Sequence, residues 1–168
     1  MDPIGVSPTW RWYRYENSWI TLDGRRVQAV SGGEHWGGGM SIHARDLARF
    51  GPFTLRKGLW GDERLLDEEW FDMATTPSAA NQTYGFMNFF LNVPNSQGQK
   101  GYPSAPSTAY PHRGNGTNLV YVDEENDLVV VARWIPGGDI DEHLSLVIGS
   151  IERTADGGPL SGVPGPPT

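Results

Sequence analysis

The chain has 168 residues, of which 38% are hydrophobic, and this length suits one domain with a sizeable core. Its net charge of −7 argues against a nucleic-acid partner, because proteins that bind phosphate backbones concentrate Lys and Arg on one face. The lack of cysteine excludes disulfides, a thiolate nucleophile and a cysteine-ligated metal, and it leaves the cellular compartment open. No apolar run approaches the roughly 18 residues that span a bilayer, and residues 1–5 lack the pattern of an export signal.

Glycine and proline are abundant, with 22 and 13 residues, and many of them lie between periodic segments, which predicts a loop-rich chain. The 7 Trp, 6 Tyr and 6 Phe residues supply ring surface that favours a packed core. We therefore expect one globular domain over residues 1–156. Residues 157–168 are rich in Gly and Pro and predict a disordered tail.

The first part of the chain predicts short strands and flexible connections. Residues 10–19 place aromatic rings beside charges, a pattern typical of a strand or of an irregular segment with a wide aromatic surface. Residues 27–30 predict a short strand after the Asp23-Gly24 turn signal. The glycines of residues 31–39 then predict a flexible connection.

A first helix is predicted after this connection, with Ser41 as its N-cap and Gly58 as its stop. Pro52 predicts a kink or a break near Gly51, because proline lacks the N–H that a helix interior needs. The expected apolar face contains Ile42, Leu47, Phe50 and Leu55.

A second, short helix is predicted from Asp67, a suitable N-cap, and it ends before Pro77. Acidic residues in its first turn suit the helix dipole. Its expected buried side contains Trp70, Phe71 and Met73.

Strands dominate the predictions for the last part of the chain. Residues 84–93 predict an aromatic strand, and residues 95–106 predict a polar, mobile loop. Residues 119–122 and 128–135 predict two antiparallel strands joined by the exposed turn 123–127. Together with the helices, these strands predict an α+β fold with an antiparallel sheet.

A final helix is predicted to begin at Asp139 or Asp141 and to pack on this sheet. Its apolar residues recur at helical spacing and are Leu144, Val147, Ile148 and Ile151.

The segment Pro111-His112-Arg113-Gly114-Asn115-Gly116 precedes the predicted hairpin and is the part of the chain that looks most like one wall of an active site. It belongs to a series of motifs that resembles the later half of the serine beta-lactamase-like hydrolases, the family of class C beta-lactamases, penicillin-binding peptidases and esterases. The resemblance covers most of the chain, roughly residues 31–153. Its motifs are EHWGGGMS (34–41), RDLARFG (45–51), LLDEEW (65–70), YGFMN (84–88), HRG (112–114), YVD (121–123) and NDLVVV (126–131).

The resemblance implies acyl transfer, in which a serine of an S-x-x-K motif attacks a carbonyl, and lysine and a Y-x-N tyrosine move protons. A strand bearing K-T-G or H-x-G lines the opposite wall, and only this strand has a counterpart here. His112 would then donate to a substrate carboxylate or to the tyrosine oxygen, and Gly114 would leave room for an acyl group. Asn115 would offer its backbone N–H to an oxyanion hole. Arg113 departs from the small hydroxylated residue that is common at its position.

These residues also have simpler interpretations. In the alternative interpretation, His112 is a turn histidine that satisfies loop hydrogen bonds, and Gly114 and Gly116 serve a turn or a bulge. Tyr15-Glu16-Asn17 is formally a Y-x-N motif, but in the family this motif comes well before the segments matched here, and its aromatic neighbours favour packing.

Other candidate residues carry weaker signals. Neither Ser31 nor Ser41 is followed by lysine three positions on, so neither resembles an activated nucleophile. His35 is a weak candidate for a base beside its glycine-rich loop. The four histidines lack metal-ligand spacing and the triple glycine lacks a phosphate-binding motif, so no metal, nucleotide or other cofactor is predicted.

Two functions therefore stay open. The first is the C-terminal portion of a serine hydrolase that acts on an ester, amide or peptide substrate and is inactive alone, because this chain lacks the nucleophile. An exposed sheet edge would then favour self-association. The second is a non-catalytic module that binds glycan or peptide through the aromatic N-terminal segment and the glycine-rich loops.

Overall fold

The computed structural model describes residues 1–13, 18–28, 39–86 and 89–151. It combines helices with small antiparallel sheets, which confirms the predicted α+β class. The strands are β1 (Arg11–Tyr13), β2 (Trp19–Leu22), β3 (Arg25–Gln28), β4 (Gly39–Ser41), β5 (Leu59–Trp60), β6 (Glu63–Arg64), β7 (Tyr110–Gly114), β8 (Asn118–Asp123) and β9 (Leu128–Ala132). The helices are α1 (Ala44–Leu55), α2 (Glu68–Ala74) and α3 (Ile140–Gly149), with 3-10 turns at Asp2–Ile4 and Gly137–Asp139.

The largest sheet in the described residues has three antiparallel strands in the order β7-β8-β9. Tyr121 of the central strand lies opposite Pro111 on one side and Val130 on the other. The predicted hairpin is confirmed, although β9 ends at Ala132 instead of residue 135. Because side chains alternate along each strand, the sheet presents two faces to the helices.

One face of this sheet packs against α1. The two elements approach closely at Gly51, where an added Cβ would lie 2.2 Å from Val129 Cγ1, so the contact requires a residue without a side chain. Phe71 and Ala74 bring α2 into the same core. The buried residues on this side are Ile4, Val6, Ile42, Phe53, Leu55, Phe71, Ala74, Phe89, Leu91, Tyr110, Val120 and Val122.

The other face packs against α3, as predicted. Asp139 occupies the N-cap position of this helix, while the carboxylate of Asp141 accepts hydrogen bonds from the backbone N–H and the hydroxyl of Ser104, both at 3.0 Å. Asp141 therefore ties the loop before β7 to the helix. The buried residues on this side are Ala105, Ala109, Leu119, Tyr121, Ala132, Ile140, Leu144 and Ile148.

The N-terminal strands form two further pairs, β1 with β4 and β2 with β3. Asp23 and Gly24 make the predicted turn between β2 and β3, with φ of 50° and 74°, the left-handed values that a tight two-residue hairpin needs. The strand predicted over residues 27–30 is present as far as Gln28, and residues 29–30 lie outside the described part. Both strands of this hairpin are solvent-exposed, so it adds little to the core.

Asp46 of α1 holds the N-terminal segment through Ser7. One carboxylate oxygen accepts from the Ser7 backbone N–H at 3.0 Å, and the other accepts from its hydroxyl at 2.6 Å. These two hydrogen bonds, with smaller contributions from the charges of Arg49 and His43, hold the pKa of Asp46 below its ordinary value.

We expect Asp46→Asn to destabilise the protein at neutral pH and to lose this effect in acid. A carboxyl with a depressed folded pKa contributes stability above its unfolded pKa of about 3.9, and this contribution disappears as the pH falls through the lower folded pKa. Urea unfolding of both proteins at about pH 7 and about pH 2 measures the difference. An equal difference at both pH values would contradict this role for Asp46.

For α1, the predicted cap at Ser41 is wrong, and so is the predicted break at Pro52. Ser41 does not cap the helix, because it pairs with Arg11 in the β1–β4 sheet, and the N-cap position belongs to His43. Pairing with β1 thus outweighs the capping preference of serine. Pro52 does not break the helix, which runs to Leu55. Since this proline lies in the last turn, it removes only one helical hydrogen bond.

The bounds predicted for α2 are confirmed, with Asp67 at the N-cap and an end before Pro77. The predicted buried side is wrong in part. Phe71 is buried, but Trp70 and Met73 are 40% and 47% exposed. In this short helix only the line through Phe71 and Ala74, three residues apart, faces the core.

A continuous strand over residues 84–93 is also wrong, because the chain reverses between Tyr84 and Phe90, which form an isolated bridge. At the reversal the backbone of Gly85 packs closely against α2, where an added Cβ would lie 1.9 Å from the Ala74 carbonyl oxygen. Residues 95–106 are irregular, as predicted. The Tyr15-Glu16-Asn17 motif, Ser31, His35 and the tail 157–168 lie outside the described residues.

Candidate functional site

The candidate site is built on β7, which lies at one edge of the three-stranded sheet. The carbonyls of Ala109 and Pro111 point away from β8 and accept hydrogen bonds from Asn92 and Phe90, at 3.1 and 3.0 Å. Because backbone groups alternate along an antiparallel strand, the N–H and C=O of Arg113 face the same edge. In the described residues, the stretch of β7 covered in this way ends at Pro111. The His112 to Gly114 end of the strand extends beyond it.

His112 is half-buried and points to the α1 side of the sheet. Its imidazole packs edge-on against three rings, with centroid distances of 4.6 Å to Phe89, 5.3 Å to Phe50 and 6.0 Å to Tyr110. Edge-to-face packing at these distances fixes the orientation of the ring. His112 is therefore not an exposed turn residue, because it lies within the strand and joins the aromatic layer under α1.

His112 also lines a cavity of about 80 Å³ between α1, α2 and β7. The cavity is mostly apolar, and its partly exposed rim includes Leu66 and Trp70. A space of this size and polarity suits a few methylene groups better than an ion. Its lining consists of Phe50, Phe53, Thr54, Leu66, Trp70, Phe71, Phe89 and His112.

The two glycines of the motif differ in the space around them. At Gly114, an added Cβ would lie 3.7 Å from the nearest atom, Cβ of Asn118, which is ordinary contact. At Gly116, which has φ of 72°, an added Cβ would lie 2.1 Å from the Trp134 ring. Packing against Trp134 and a positive φ explain why residue 116 is a glycine. Beside Gly114, by contrast, the described residues leave open space.

We expect Gly116→Ala to lower the free energy of unfolding by about 1 to 2 kcal/mol, because alanine is strained at positive φ and displaces the indole. Gly114→Ala is expected to be neutral or to stabilise by about 0.5 kcal/mol, since alanine restricts the unfolded chain more than glycine does. Urea unfolding of the two variants measures both values. Equal destabilisation would show that Gly114 is also needed for packing.

Arg113 points to the α3 side, opposite to His112. Its guanidinium donates to the Tyr102 hydroxyl at 3.4 Å, and its Nη2 lies 3.8 Å from the position that a Cβ at Gly137 would take. A direct joint action of the His112 and Arg113 side chains on one atom is therefore excluded by the alternation of the strand.

Asn115 begins the exposed turn between β7 and β8. Its side-chain oxygen accepts from the Gly116 N–H at 2.9 Å, and its carbonyl accepts from the Asn118 amide at 2.6 Å. These bonds fix the turn that carries the Asn115 N–H.

Sequence reasoning missed two residues at this end of the sheet. Trp134 is 74% exposed and lies against Gly116, with φ of 61°. Arg133 donates to the Ile42 carbonyl at 2.7 Å and to the Asn118 side-chain oxygen at 3.0 Å, and thereby connects the segment before α1 to the turn after β7. Both residues were predicted to lie inside the strand 128–135, and no other sequence signal marked them.

Ser41 is exposed in β4, and His43 is exposed at the start of α1. In the described part of the chain, no hydrogen bond or ring contact joins either of them to His112. The structure therefore does not bring Ser41 or His43 together with His112.

A second, open cavity of about 240 Å³ lies at the end of α1 and is lined by charged residues. The charges there have partners: Lys57 pairs with Asp72 at 2.8 Å, Arg56 pairs with Asp127, and Arg64 donates to the Lys57 carbonyl at 2.8 Å. The charges of Arg56 and Lys57 are therefore compensated by carboxylates of the chain. Within residues 1–13, 18–28, 39–86 and 89–151, no group of three His, Asp or Glu residues could hold a metal ion.

No family model matches the chain, and no curated protein matches it in sequence. Among the described residues, no helix has the length and apolar character needed to cross a membrane. The case for a function therefore rests on the motifs of the sequence and on the geometry of β7.

Proposed function

We propose that this chain forms the C-terminal portion of a serine beta-lactamase-like hydrolase and supplies the substrate-facing wall of its site. The substrate is an ester or an amide, such as a beta-lactam or a peptide. The fold is then part of the beta-lactamase-like fold, with further strands completing the sheet. The serine nucleophile and its base do not lie in this chain.

The observation that carries the proposal is the placement of His112 to Gly114 at the edge of an antiparallel sheet. An edge strand offers backbone N–H and C=O groups that an extended substrate can pair with, and Arg113 directs such groups outward. No packing reason for glycine at position 114 is found in the described residues, so we assign the reason to a ligand beside it. Asn115 follows Gly114 in the turn, and the proposal assigns its backbone N–H as a donor to a developing oxyanion.

The residues of this wall have separate tasks in the proposal. The Asn115 N–H stabilises charge on the carbonyl oxygen, a contact whose loss commonly costs about 3 kcal/mol in the transition state. His112 positions the substrate from the α1 side, where surrounding rings hold its imidazole. The wall alone does not catalyse, because loss of the nucleophile removes most of the acceleration.

The test uses the native gene product that contains this chain. We expect it to hydrolyse 4-nitrophenyl acetate or a chromogenic cephalosporin, and we expect His112→Ala and Gly114→Val to lower kcat/KM about 100-fold. Gly149→Val is the matched control, because a Cβ at Gly149 meets no atom within 4 Å. Full activity in both β7 variants, or loss of activity in the control as well, would contradict the proposal.

The proposal also implies that the isolated chain associates with itself through an exposed sheet edge. In the described residues β9 pairs only with β8, so its outer edge has unpaired backbone groups. Light scattering across a concentration series measures the association. A strictly monomeric chain at all concentrations would contradict it.

A non-catalytic glycan- or peptide-binding module is the second candidate, favoured by the exposed rings of β1. Trp12 and Tyr13 are 37% and 63% exposed there. This candidate predicts that the isolated chain binds a peptide or glycan, that Tyr13→Ala weakens binding, and that His112→Ala does not. The opposite pattern, with loss only in His112→Ala, would support the hydrolase.

A further inference from the structure

Trp134 is the most exposed large hydrophobic side chain among the described residues, at 74%. Its indole rests against Gly116, where any side chain would collide with ring atoms at 2.1 to 2.9 Å. The glycine supports one side of the ring, and the remainder faces solvent. The ring is thus held in place without being buried.

The backbone conformation at Trp134 is energetically unfavourable. Its φ of 61° is left-handed, a region that is rare for a bulky residue and that costs on the order of 1 to 3 kcal/mol. A glycine or an asparagine would adopt the same turn more easily. Neither burial nor the turn explains a tryptophan here, since most of its surface is outside the core.

Arg113 reaches the loop that begins at Trp134, since its guanidinium lies beside Gly137. Its guanidinium donates a long hydrogen bond, of 3.4 Å, to the Tyr102 hydroxyl. The ion pairs of the described residues involve Arg56 and Lys57 at the opposite end of α1, so none of them neutralises Arg113. Among the described residues Arg113, like several other arginines, has no carboxylate partner, so its positive charge is available to an anionic ligand.

We infer that Trp134 and Arg113 form a binding subsite for a carboxylate-bearing ring. The ring stacks on the open face of the indole, and the carboxylate accepts charge-assisted hydrogen bonds from the guanidinium. The positive charge of Arg113 disfavours a cationic ligand, which an indole alone would also attract. The subsite adjoins β7 but goes beyond the proposed function, because binding there requires no nucleophile.

Titrations of the isolated chain test this inference. The probes are D-glucuronate and benzoate, with D-glucose as a ring without a carboxylate and acetate as a carboxylate without a ring. The indole N–H resonance of Trp134, assigned by its loss in Trp134→Ala, reports binding. We expect at least one ring acid to bind about tenfold more tightly than glucose and acetate, as stacking and a charge-assisted hydrogen bond predict. Tighter binding of glucuronate indicates a sugar acid, and tighter binding of benzoate indicates an aryl acid.

Variants separate the two contacts. We expect Trp134→Ala and Arg113→Gln each to weaken binding about tenfold. Binding to Trp134→Ala is followed through the other indole resonances and by calorimetry. Phe86→Ala and Arg45→Gln, which change another exposed ring and another exposed arginine, should leave it unchanged. Equal affinities for all four probes, or unchanged affinity in Trp134→Ala, would overturn the inference. Either result is independent of hydrolysis by the native gene product.

Discussion

Replacement of Asn92 by alanine is expected to lower the free energy of unfolding by about 3 kcal/mol, because one buried amide holds a whole loop. Asn92 is 1% exposed, and its Nδ2 donates to the carbonyls of Tyr102, Ala105 and Pro106, at 3.0, 3.3 and 2.9 Å. Its Oδ1 accepts from the Tyr102 N–H at 2.8 Å. Removal of the amide leaves the Tyr102 N–H without its acceptor in the interior, and a buried group left in this way costs about 1 to 3 kcal/mol. Each of the three carbonyls also loses one donor, although the Ala105 N–H, the Lys100 ammonium and the Ala109 N–H still donate to them.

Urea unfolding followed by tryptophan fluorescence measures this effect. Asn92→Asp should be at least as harmful, because it faces three carbonyls with oxygen in place of the N–H donor. Asn95→Ala is the matched control, since Asn95 forms its turn bonds with Gln97 and Gln99 at the surface and should cost below about 1 kcal/mol. Similar values for Asn92→Ala and Asn95→Ala would show that the loop does not depend on Asn92.

The second large effect is expected for Asp123→Ala, about 3 to 4 kcal/mol, because this carboxylate organises the β8–β9 turn from within the core. Asp123 is fully buried and accepts from the Tyr121 hydroxyl at 2.7 Å and from the backbone N–H and side chain of Asn126 at 3.0 and 2.8 Å. Burial, reinforced by the hydrogen bond to Asp123, raises the pKa of Tyr121 and keeps its phenol protonated as a donor.

Tyr121→Phe distinguishes this network from simple loss of volume. It removes one donor and leaves the Asn126 bonds, so it should cost about 1 to 1.5 kcal/mol, clearly less than Asp123→Ala. Both values come from urea unfolding with the wild-type protein as reference. A cost for Asp123→Ala no larger than that for Tyr121→Phe would contradict the role of the carboxylate.

The elements that the sequence predicted best are those whose local pattern agrees with their packing. The β8–β9 hairpin alternates and turns at Asp127, which has φ of 50°, and α3 places Leu144 and Ile148 on one buried stripe. The errors arose where a distant partner decided the structure. Ser41 pairs with β1, and the reversal after Tyr84 depends on the approach of Gly85 to α2.

The candidate site shows the same division. The motif indicated His112 and Gly114. In the folded strand, the side chains of His112 and Arg113 lie on opposite faces of the sheet. A motif cannot show this without the bounds of the strand. The difference between Gly114 and Gly116 depends on Trp134, which lies 18 to 20 residues further on and contacts the turn only in the folded chain. Its left-handed backbone also has no signature in the sequence.

The decisive experiment determines the complete native reading frame and labels its product with a serine-directed fluorophosphonate. If the proposed function is right, we expect an in-frame segment before Met1 with S-x-x-K followed by Y-x-N, and we expect that serine to be labelled. The chain of 168 residues alone should stay unlabelled. A native product that begins at Met1 and does not react with the probe would contradict the hydrolase and favour a binding module.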